Sequence, residues 1–489
     1  MSTGRADGHP GDPRAIVPTV SEAVYGDRMS ASDTLLWNNE RDPMLRSTII
    51  SMIVLEGAPD PARFAGAVER SLVRVPRLRQ RVVLDPLRAA PPRWEQDPHF
   101  DLEYHVRRVR VPGKGTLRDL HDLAEPIAMQ AFDKDRPLWE LHLVEGLEGG
   151  RHALVMKLHH AISDGVGLVR MTSSLVERSS DPDPRHAHTP SLGEELEATP
   201  AAGPFADALQ ALRYRAEANW RGTRTVAGAL GRGLTGLLTK PRETIRSVGD
   251  AASSVGRLLR PISEPLSPVL RGRSLAVHFD ALSVPVADLK RSGKVAGGTL
   301  NDAFVAAVCG GMRRYHERHG RPVGELRMTM PINIRAPGEA GKRAGNQFVP
   351  ARFPVPIAIV DPVERMLAIR RCVLKALREP ALPFSENISS VLERLPRRVA
   401  VPLVGSMLKA IDFVTSNVPG PAFTVYASGA RVERMVGFGP LSGAAINVTA
   451  FSYDSTLQLG VNMDAAAVPD PDVLLACLQA GLAEVLAVA

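Results

Sequence analysis

The feature that most restricts the fold is an apolar, strand-like run that ends in two histidines and a sharp turn. Residues 153–158 are almost entirely apolar, which is typical of a buried strand, and His159 and His160 follow directly. Asp164 and Gly165 come next, and the pattern beyond them is helical. Glycine suits a joint that needs a positive φ or a close approach of the backbone. The sequence therefore predicts a strand–turn–helix junction that carries histidine and an acid.

The residue types at this junction favour acid–base chemistry. Neighbours on a strand point to opposite faces, so His159 and His160 do not both serve one site while the chain is extended. This geometry argues against a chelated metal ion, and no metal is expected. A neutral imidazole with a pKa near ~6.5 is suited to removing a proton from a hydroxyl. Asp164 could orient the ring or hold the loop; the alternative is a buried structural histidine beside a turn aspartate.

Other catalytic arrangements find no support in the sequence. A Gly-x-Ser-x-Gly elbow is missing, which argues against an α/β-hydrolase. A Walker motif is also missing, and no Rossmann glycine fingerprint follows a predicted strand. The three cysteines, Cys309, Cys372 and Cys477, lack CxxC spacing, so we expect neither a disulfide framework nor a zinc ribbon. A reducing compartment fits best.

Composition limits the partners. Net charge is +7, which predicts a basic face for an anionic membrane, a phosphorylated molecule or nucleic acid. Aromatic residues make up only 5% of the chain and no basic–aromatic pattern occurs, so nucleic acid is the least favoured partner. We expect no signal peptide. We also expect no membrane-spanning helix, because Pro419, Gly420 and Pro421 interrupt the most apolar stretch. A cytoplasmic protein with peripheral membrane contact is predicted.

The 489 residues are too many for one ordinary core, and the pattern predicts four segments. These are a disordered leader (1–25), a first mixed unit (26–180), a linker with a basic helical connector (181–270) and a second mixed unit (271–489). Within the connector, leucines alternate with an excess of arginine over residues 205–259. We interpret it as a helical connector packed on the domains, with an anionic membrane or lipid-droplet surface as the alternative.

Periodicity predicts elements of both types, which indicates a mixed α/β fold. Thr299 is expected to cap a helix that Gly320 ends, with Asp302 at the capping-box position. Helices are predicted over 61–75, 117–131, 299–320 and 470–488, and strands over 102–106, 139–144, 153–159, 275–279, 328–334, 423–427, 446–453 and 457–463. The last two strands are expected to form a hairpin around Asp454–Thr456.

These motifs together resemble the bacterial wax ester synthase/acyl-CoA:diacylglycerol acyltransferases, within the wider group of CoA-dependent acyltransferases that share HHxxxDG. The resemblance runs from about Met29 to the end of the chain. One departure is the segment 29–33, where that family usually has Pro-Leu before the aspartate. Besides the histidine motif, the matching elements are Pro137-Leu138-Trp139, Asn301-Asp302, Ser416-Asn417-Val418-Pro419-Gly420-Pro421 and the C-terminal run 447–470.

The resemblance implies two chloramphenicol-acetyltransferase-like domains with a tunnel between them, and it implies acyl-CoA and a lipid alcohol as substrates without a further cofactor. His160 would act as the general base, His159 would support the loop, and Gly165 would shape it. Asp164 would pair with an arginine, for which Arg335 is the candidate. The implied substrate-binding residues are Asn301, Asp302, Ser416, Asn417, Pro419 and Gly420.

Several alternatives remain open at this stage. Asn301 and Asp302 could be helix caps only, and residues 417–420 could be only a tight turn. The acceptor could be diacylglycerol, giving triacylglycerol, or a fatty alcohol, giving a wax ester. Another HHxxxDG acyltransferase, such as a polyketide-associated type, is a second possibility. A catalytically silent lipid-binding protein of the same fold is a third. A peptide-synthetase condensation domain is disfavoured by the expected lack of carrier domains.

Overall fold

The computed structural model describes residues 26–85, 90–162, 174–181, 212–216, 220, 264–333, 348–378 and 397–489. The predicted leader, Asp164, Gly165, Arg335 and most of the connector 181–270 lie outside the described residues. The predictions made for them stay predictions.

Helices and strands alternate irregularly along the described chain, which confirms the predicted mixed α/β class. The helices are α1 (Ala31–Asn39), α2 (Pro61–Arg74), α3 (Leu102–His105), α4 (Leu117–Met129), α5 (Val286–Val295), α6 (Leu300–Arg318), α7 (Pro362–Leu377), α8 (Arg397–Lys409) and α9 (Pro471–Leu486). The strands are β1 (Thr48–Leu55), β2 (Gln80–Val83), β3 (Arg93–Gln96), β4 (Val106–Arg110), β5 (Trp139–Glu145), β6 (His152–His159), β7 (Val277–Pro285), β8 (Glu325–Asn333), β9 (Phe348–Pro356), β10 (Phe413–Pro419), β11 (Tyr426–Ala427), β12 (Ala430–Phe438), β13 (Ile446–Tyr453) and β14 (Thr456–Asp464). None of the helices in these ranges combines the length and the apolar content that a bilayer span requires.

The first sheet has six strands in the order β11-β12-β1-β6-β5-β4. Its centre is β1, which pairs antiparallel with β6 on one side and with β12 on the other. Both faces of β1 are buried, which explains its continuous apolar sequence. Strands β11 and β12 come from the second predicted unit, so the late part of the chain completes the sheet that carries the histidines.

The second sheet also has six strands, in the order β7-β14-β13-β10-β8-β9. Strand β10 lies parallel to both β8 and β13, while the remaining pairs are antiparallel. Helices α6 and α9 pack on this sheet, and they cross closely at Gly481. A Cβ there would lie 2.4 Å from the Ala307 carbonyl oxygen, so only glycine permits this helix contact.

Several elements predicted from the sequence are confirmed. Thr299 caps α6 in a capping box with Asp302, and Gly320 follows the helix with φ +63°. Strands β13 and β14 form the predicted hairpin through the two-residue loop Asp454-Ser455. Both loop residues have positive φ, 38° and 55°, as the tight turn of a twisted hairpin requires.

Other local predictions were wrong. The strand predicted over 102–106 is instead the short helix α3 followed by β4, because the Asp101 side chain accepts a hydrogen bond from the Glu103 amide and caps a helical turn. The strand predicted over 423–427 is reduced to β11. A strand over Phe413–Pro419 was not predicted. Asn417 and Val418 pair there with Ala450 and Phe451, so the chain turns only after Pro419.

The two sheets meet where β12 of the first crosses β13 and β14 of the second. Gly460 of β14 lies against Gly437 of β12, and a Cβ on Gly460 would be 2.2 Å from the Gly437 carbonyl oxygen. A Cβ on Gly437 would meet nothing closer than Thr449 Cγ2 at 3.6 Å, which is ordinary contact. The crossing therefore depends on a glycine at one of these two positions and not at the other.

Replacing Gly460 with alanine is expected to destabilise the protein, since the new methyl group has no room without separating the sheets. The cost should be about 1–3 kcal/mol in the free energy of unfolding. Gly437→Ala is the matched control and should cost much less. Thermal and denaturant unfolding would measure both, and equal stabilities of the two variants would contradict this account of the crossing.

Candidate active site

The two histidines lie at the end of β6, where the strand gives way to a turn. His159 is the last strand residue and is completely buried, whereas His160 is partly exposed. Alternation along β6 puts His159 on the same face as Lys157. The side chain of His159 therefore points into the protein, whereas His160 lies at the beginning of the predicted catalytic loop.

Main-chain hydrogen bonds fasten this turn on both sides. The His159 amide donates to the Leu138 carbonyl at 3.0 Å, and the His160 amide donates to the Ser47 carbonyl at 2.8 Å. The Ala161 amide donates to Nδ1 of the His159 ring at 3.0 Å. Leu138 belongs to the Pro-Leu-Trp element, so that element supports the histidine turn through its backbone.

The His159 ring is enclosed by aromatic side chains and one carboxylate. Trp37 and Phe132 each present an edge to it, with ring centroids 6.0 Å away. Since Nδ1 accepts the Ala161 amide, the ring proton belongs on Nε2. Nε2 lies 2.9 Å from Oε1 of Glu40, with the N–H direction bent away from the line between the atoms.

Glu40 is the residue that follows α1, and its side chain is only 6% exposed. Its Oε1 also accepts the Ser47 amide at 3.2 Å, and its Oε2 lies 3.5 Å from Nζ of Lys134. Burial by itself would raise the pKa of this carboxyl, but the neighbouring His159 ring, the Lys134 ammonium and the Ser47 amide lower it to about 2. Glu40 is therefore a stable anion beside the histidine turn at neutral pH.

A second buried carboxylate lies on the neighbouring strand. Glu140 of β5 faces Lys157 of β6, with Oε1 and Nζ 3.2 Å apart, and its Oε2 lies 3.2 Å from His142 Nε2 and 3.5 Å from Arg107. Burial would raise the pKa of Glu140, but the histidine and the two cations outweigh it and lower the pKa to about 2. Burial lowers the pKa of Lys157. This cluster contacts no residue of the histidine turn through the hydrogen bonds of the described chain.

Asn301 and Asp302 begin helix α6, at the second sheet. Asp302 accepts hydrogen bonds from the Thr299 amide and hydroxyl at 2.8 and 2.9 Å, so its carboxylate serves the capping box. Nδ2 of Asn301 lies 3.5 Å from the sulfur of Met330 in β8. The side-chain hydrogen bonds of Asp302 and Asn301 thus go to Thr299 and Met330, at the start of α6 and in β8.

The segment Ser416–Gly420 runs along β10 and just past it. Asn417 and Pro419 are exposed, while Val418 points inward and belongs to the same apolar cluster as Ala161 and Ile162 of the histidine turn. Gly420 has a packing reason of its own, since a Cβ there would lie 2.3 Å from the Ser452 carbonyl oxygen. The structure thus brings this element to the cluster beneath the histidine turn.

The sequence did not indicate Glu40 and Ser47, which hold the turn, or the buried Lys157–Glu140 pair on the neighbouring strands. One signal was available, because a lysine inside an apolar strand needs a buried anion as its partner. Glu40 gives no such signal, since an acid after a short helix is typical of an exposed position. Within the described ranges, no group of three or more histidine, cysteine or acidic side chains could hold a metal ion.

Comparison with known proteins places these features in one family. The model of the wax ester synthase/diacylglycerol acyltransferase catalytic domain matches residues 29–304, and the model of that family's C-terminal domain matches residues 344–485. A protein of Mycobacterium tuberculosis, provisionally named a diacylglycerol O-acyltransferase, is 38% identical over 470 residues, which are 95% of this chain and 92% of that protein. A second protein of that organism with the same provisional name is 32% identical over 457 residues, 90% of this chain and 93% of its own length.

Solved structures show the same fold. The wax ester synthase/diacylglycerol acyltransferase from Marinobacter aquaeolei matches with a TM-score of 0.59 at 21% identity, covering 94% of this chain and 98% of that one. The first condensation domain of the calcium-dependent antibiotic synthetase matches with a TM-score of 0.58 at 15% identity, covering 95% and 96%. The predicted two-domain architecture is therefore confirmed.

The two buried carboxylates predict a loss of stability in acid. Each has a folded-state pKa of about 2 against an ordinary value of 4.5, so their stabilising effect is complete above pH 4.5 and is lost as the pH falls towards 2. The free energy of unfolding should decline across this window, and Glu40→Gln and Glu140→Gln should each flatten the decline. Denaturant unfolding at stepped pH measures it; an unchanged slope in both variants would contradict the assignment.

Proposed function

We propose, since the chain belongs to the wax ester synthase/diacylglycerol acyltransferase family, that it moves a long-chain acyl group from acyl-CoA to the hydroxyl of diacylglycerol. Fatty alcohols are the second acceptor in this proposal. The observation that carries it is the histidine pair at the end of β6: His159 is buried and fastened, and His160 is left partly exposed at the turn. Triacylglycerol, with wax esters beside it, would be the product.

The proposed reaction is a direct transfer. His160 takes the proton from the acceptor hydroxyl as its oxygen attacks the thioester carbonyl. The carbon–sulfur bond then breaks, and the CoA thiolate receives that proton from His160. No acyl-enzyme is formed, which agrees with a sequence that lacks a nucleophile elbow. Asp164, paired with Arg335, and Gly165 would hold the far side of the loop.

The substrate-binding residues of this proposal come from the second half of the chain. Asn417 and Pro419 are exposed where β10 ends, and Val418 between them packs in the cluster under the histidine turn, which supports a position beside the substrates. Ser416, Gly420 and Asn301 complete the set. The Asp302 carboxylate takes part in the cap of helix α6. In this proposal Asp302 therefore affects the substrate indirectly, by fixing the start of α6 and with it Asn301.

Replacing His160 with alanine should lower acyl transfer by about 10²–10⁴-fold, the usual contribution of a general base, with the fold intact. His152→Ala is the matched control, because His152 begins the same strand at its opposite end. Thiol release from palmitoyl-CoA in the presence of diacylglycerol measures the rate. Near-normal turnover of folded His160→Ala would refute the assignment.

The acceptor is tested by thiol release with diacylglycerol, with hexadecanol and with no acceptor. We expect acceptor-dependent release that is fastest with diacylglycerol, since the named relatives carry that activity in their names. Release that is faster with hexadecanol would assign wax ester synthesis. Release that no acceptor stimulates would favour a lipid-binding protein of the same fold.

Peripheral contact with an anionic lipid surface is a further part of the proposal, at the cytoplasmic membrane face or on lipid droplets. On α7, Leu367, Leu374 and Leu377 are 39%, 42% and 46% exposed, and basic side chains lie between and beside them. In the connector, Trp220 is 66% exposed. Exposed leucines among basic residues are typical of helices that lie on anionic lipid.

The full chain should therefore float with anionic liposomes at low salt and much less at high salt, because screening weakens the attraction. Reversing three charges in the last turns of α7 and directly after it (Arg371→Glu, Lys375→Glu, Arg378→Glu) should weaken the free energy of liposome binding by about 1 kcal/mol per residue and so reduce flotation. Lys290→Glu with Arg291→Glu on α5 is the control. If the chain does not float at low salt, the proposed lipid contact is wrong, and the connector serves only as a helical segment packed on the domains.

A further inference from the structure

We infer that Glu40 is a positioning residue for His160, acting through the two segments that border it. This inference rests on the proposed role of His160 as the base. Oε1 of Glu40 lies 2.9 Å from His159 Nε2 and accepts the Ser47 amide at 3.2 Å. A single carboxylate oxygen therefore contacts the residue before His160 and the residue whose carbonyl holds the His160 amide.

The first route runs through the His159 ring. With the ring proton on Nε2, which lies 2.9 Å from the Glu40 carboxylate, Nδ1 is left to accept the Ala161 amide at 3.0 Å. The opposite tautomer would place a proton on Nδ1 against that amide proton. An anion beside Nε2 thus selects the ring form that keeps the turn after His160 closed.

The second route runs through Ser47. Its amide is held by Glu40, and its carbonyl receives the His160 amide at 2.8 Å. Ser47 is 1% exposed, so its main chain has no water to replace a lost partner. If Glu40 is removed, both the ring form of His159 and the position of Ser47 lose their support, and His160 shifts with them.

Glu140 offers a matched control within the same sheet. Its side chain is as buried as that of Glu40, 6% exposed in both cases, and it also contacts a lysine and a histidine. Its pKa is lowered to about 2, as is that of Glu40. The two carboxylates differ in that only Glu40 contacts the histidine turn, so substitutions at both separate positioning from general destabilisation.

The experiment compares kcat and both KM values of Glu40→Gln, Glu140→Gln, His159→Gln, His160→Ala and the double variant Glu40→Gln/His159→Gln, with Tm for each. Glu40→Gln should lower kcat by about 10- to 100-fold, as a displaced catalytic group does, while both KM values stay unchanged. Glu140→Gln should lose Tm to a similar extent and keep kcat. The double variant should be no slower than the slower single variant, because both changes act on one unit.

Equal kcat values for Glu40→Gln and Glu140→Gln would overturn the inference, as would fully additive losses in the double variant. If Glu40→Gln does not fold, His159→Gln against Glu140→Gln makes the same comparison. His160→Ala keeps the two proposals apart. An active His160→Ala refutes the base itself, whereas an inactive one with an unaffected Glu40→Gln refutes only the positioning role.

Discussion

The antiparallel pairing of β1 with β6 is the constraint on which the candidate site depends. Its register sets Thr48 opposite His159, so Ser47 and the segment before it arrive beside the histidine turn. Because side chains alternate along a strand, a shift of one residue would exchange the faces of His159 and Leu158 and take His159 away from Glu40. The buried Lys157–Glu140 pair opposes such a shift, since Lys157 would lose its partner. The position of the predicted catalytic loop is thus decided by the register of the strands that precede it.

Charge placement follows from the same pairing. Lys157 lies two residues before His159, and each of these side chains is opposed by a carboxylate that is buried and stays ionised. Burying an ion without its partner costs several kcal/mol, so the Lys157–Glu140 pair holds only while β5 and β6 keep their register. The Phe132 ring contacts a member of each pair, with its centroid 4.5 Å from the Lys157 ammonium and 6.0 Å from the centroid of the His159 ring.

The late part of the chain closes the site from the other side. Strand β12 completes the first sheet beside β1, and the loop after it brings Ser442 within 3.4 Å of the Ser47 hydroxyl. Lys409, at the end of α8, pairs with Asp42 in the segment that leads to Ser47. The segment that holds the histidine turn is therefore itself held by residues from both predicted units.

The sequence by itself determined the mixed α/β class, β6, the hairpin of β13 and β14 and the capped start of α6, because each depends on a period, a turn or a cap within a few residues. It also singled out the histidine pair, since two histidines after an apolar strand have few structural explanations. Only the tertiary structure decided that Glu40 and Ser47 hold this turn and that β12 joins the first sheet. These depend on contacts between residues far apart in the chain, and no local pattern records which distant strand or carboxylate will fill a given side of a sheet.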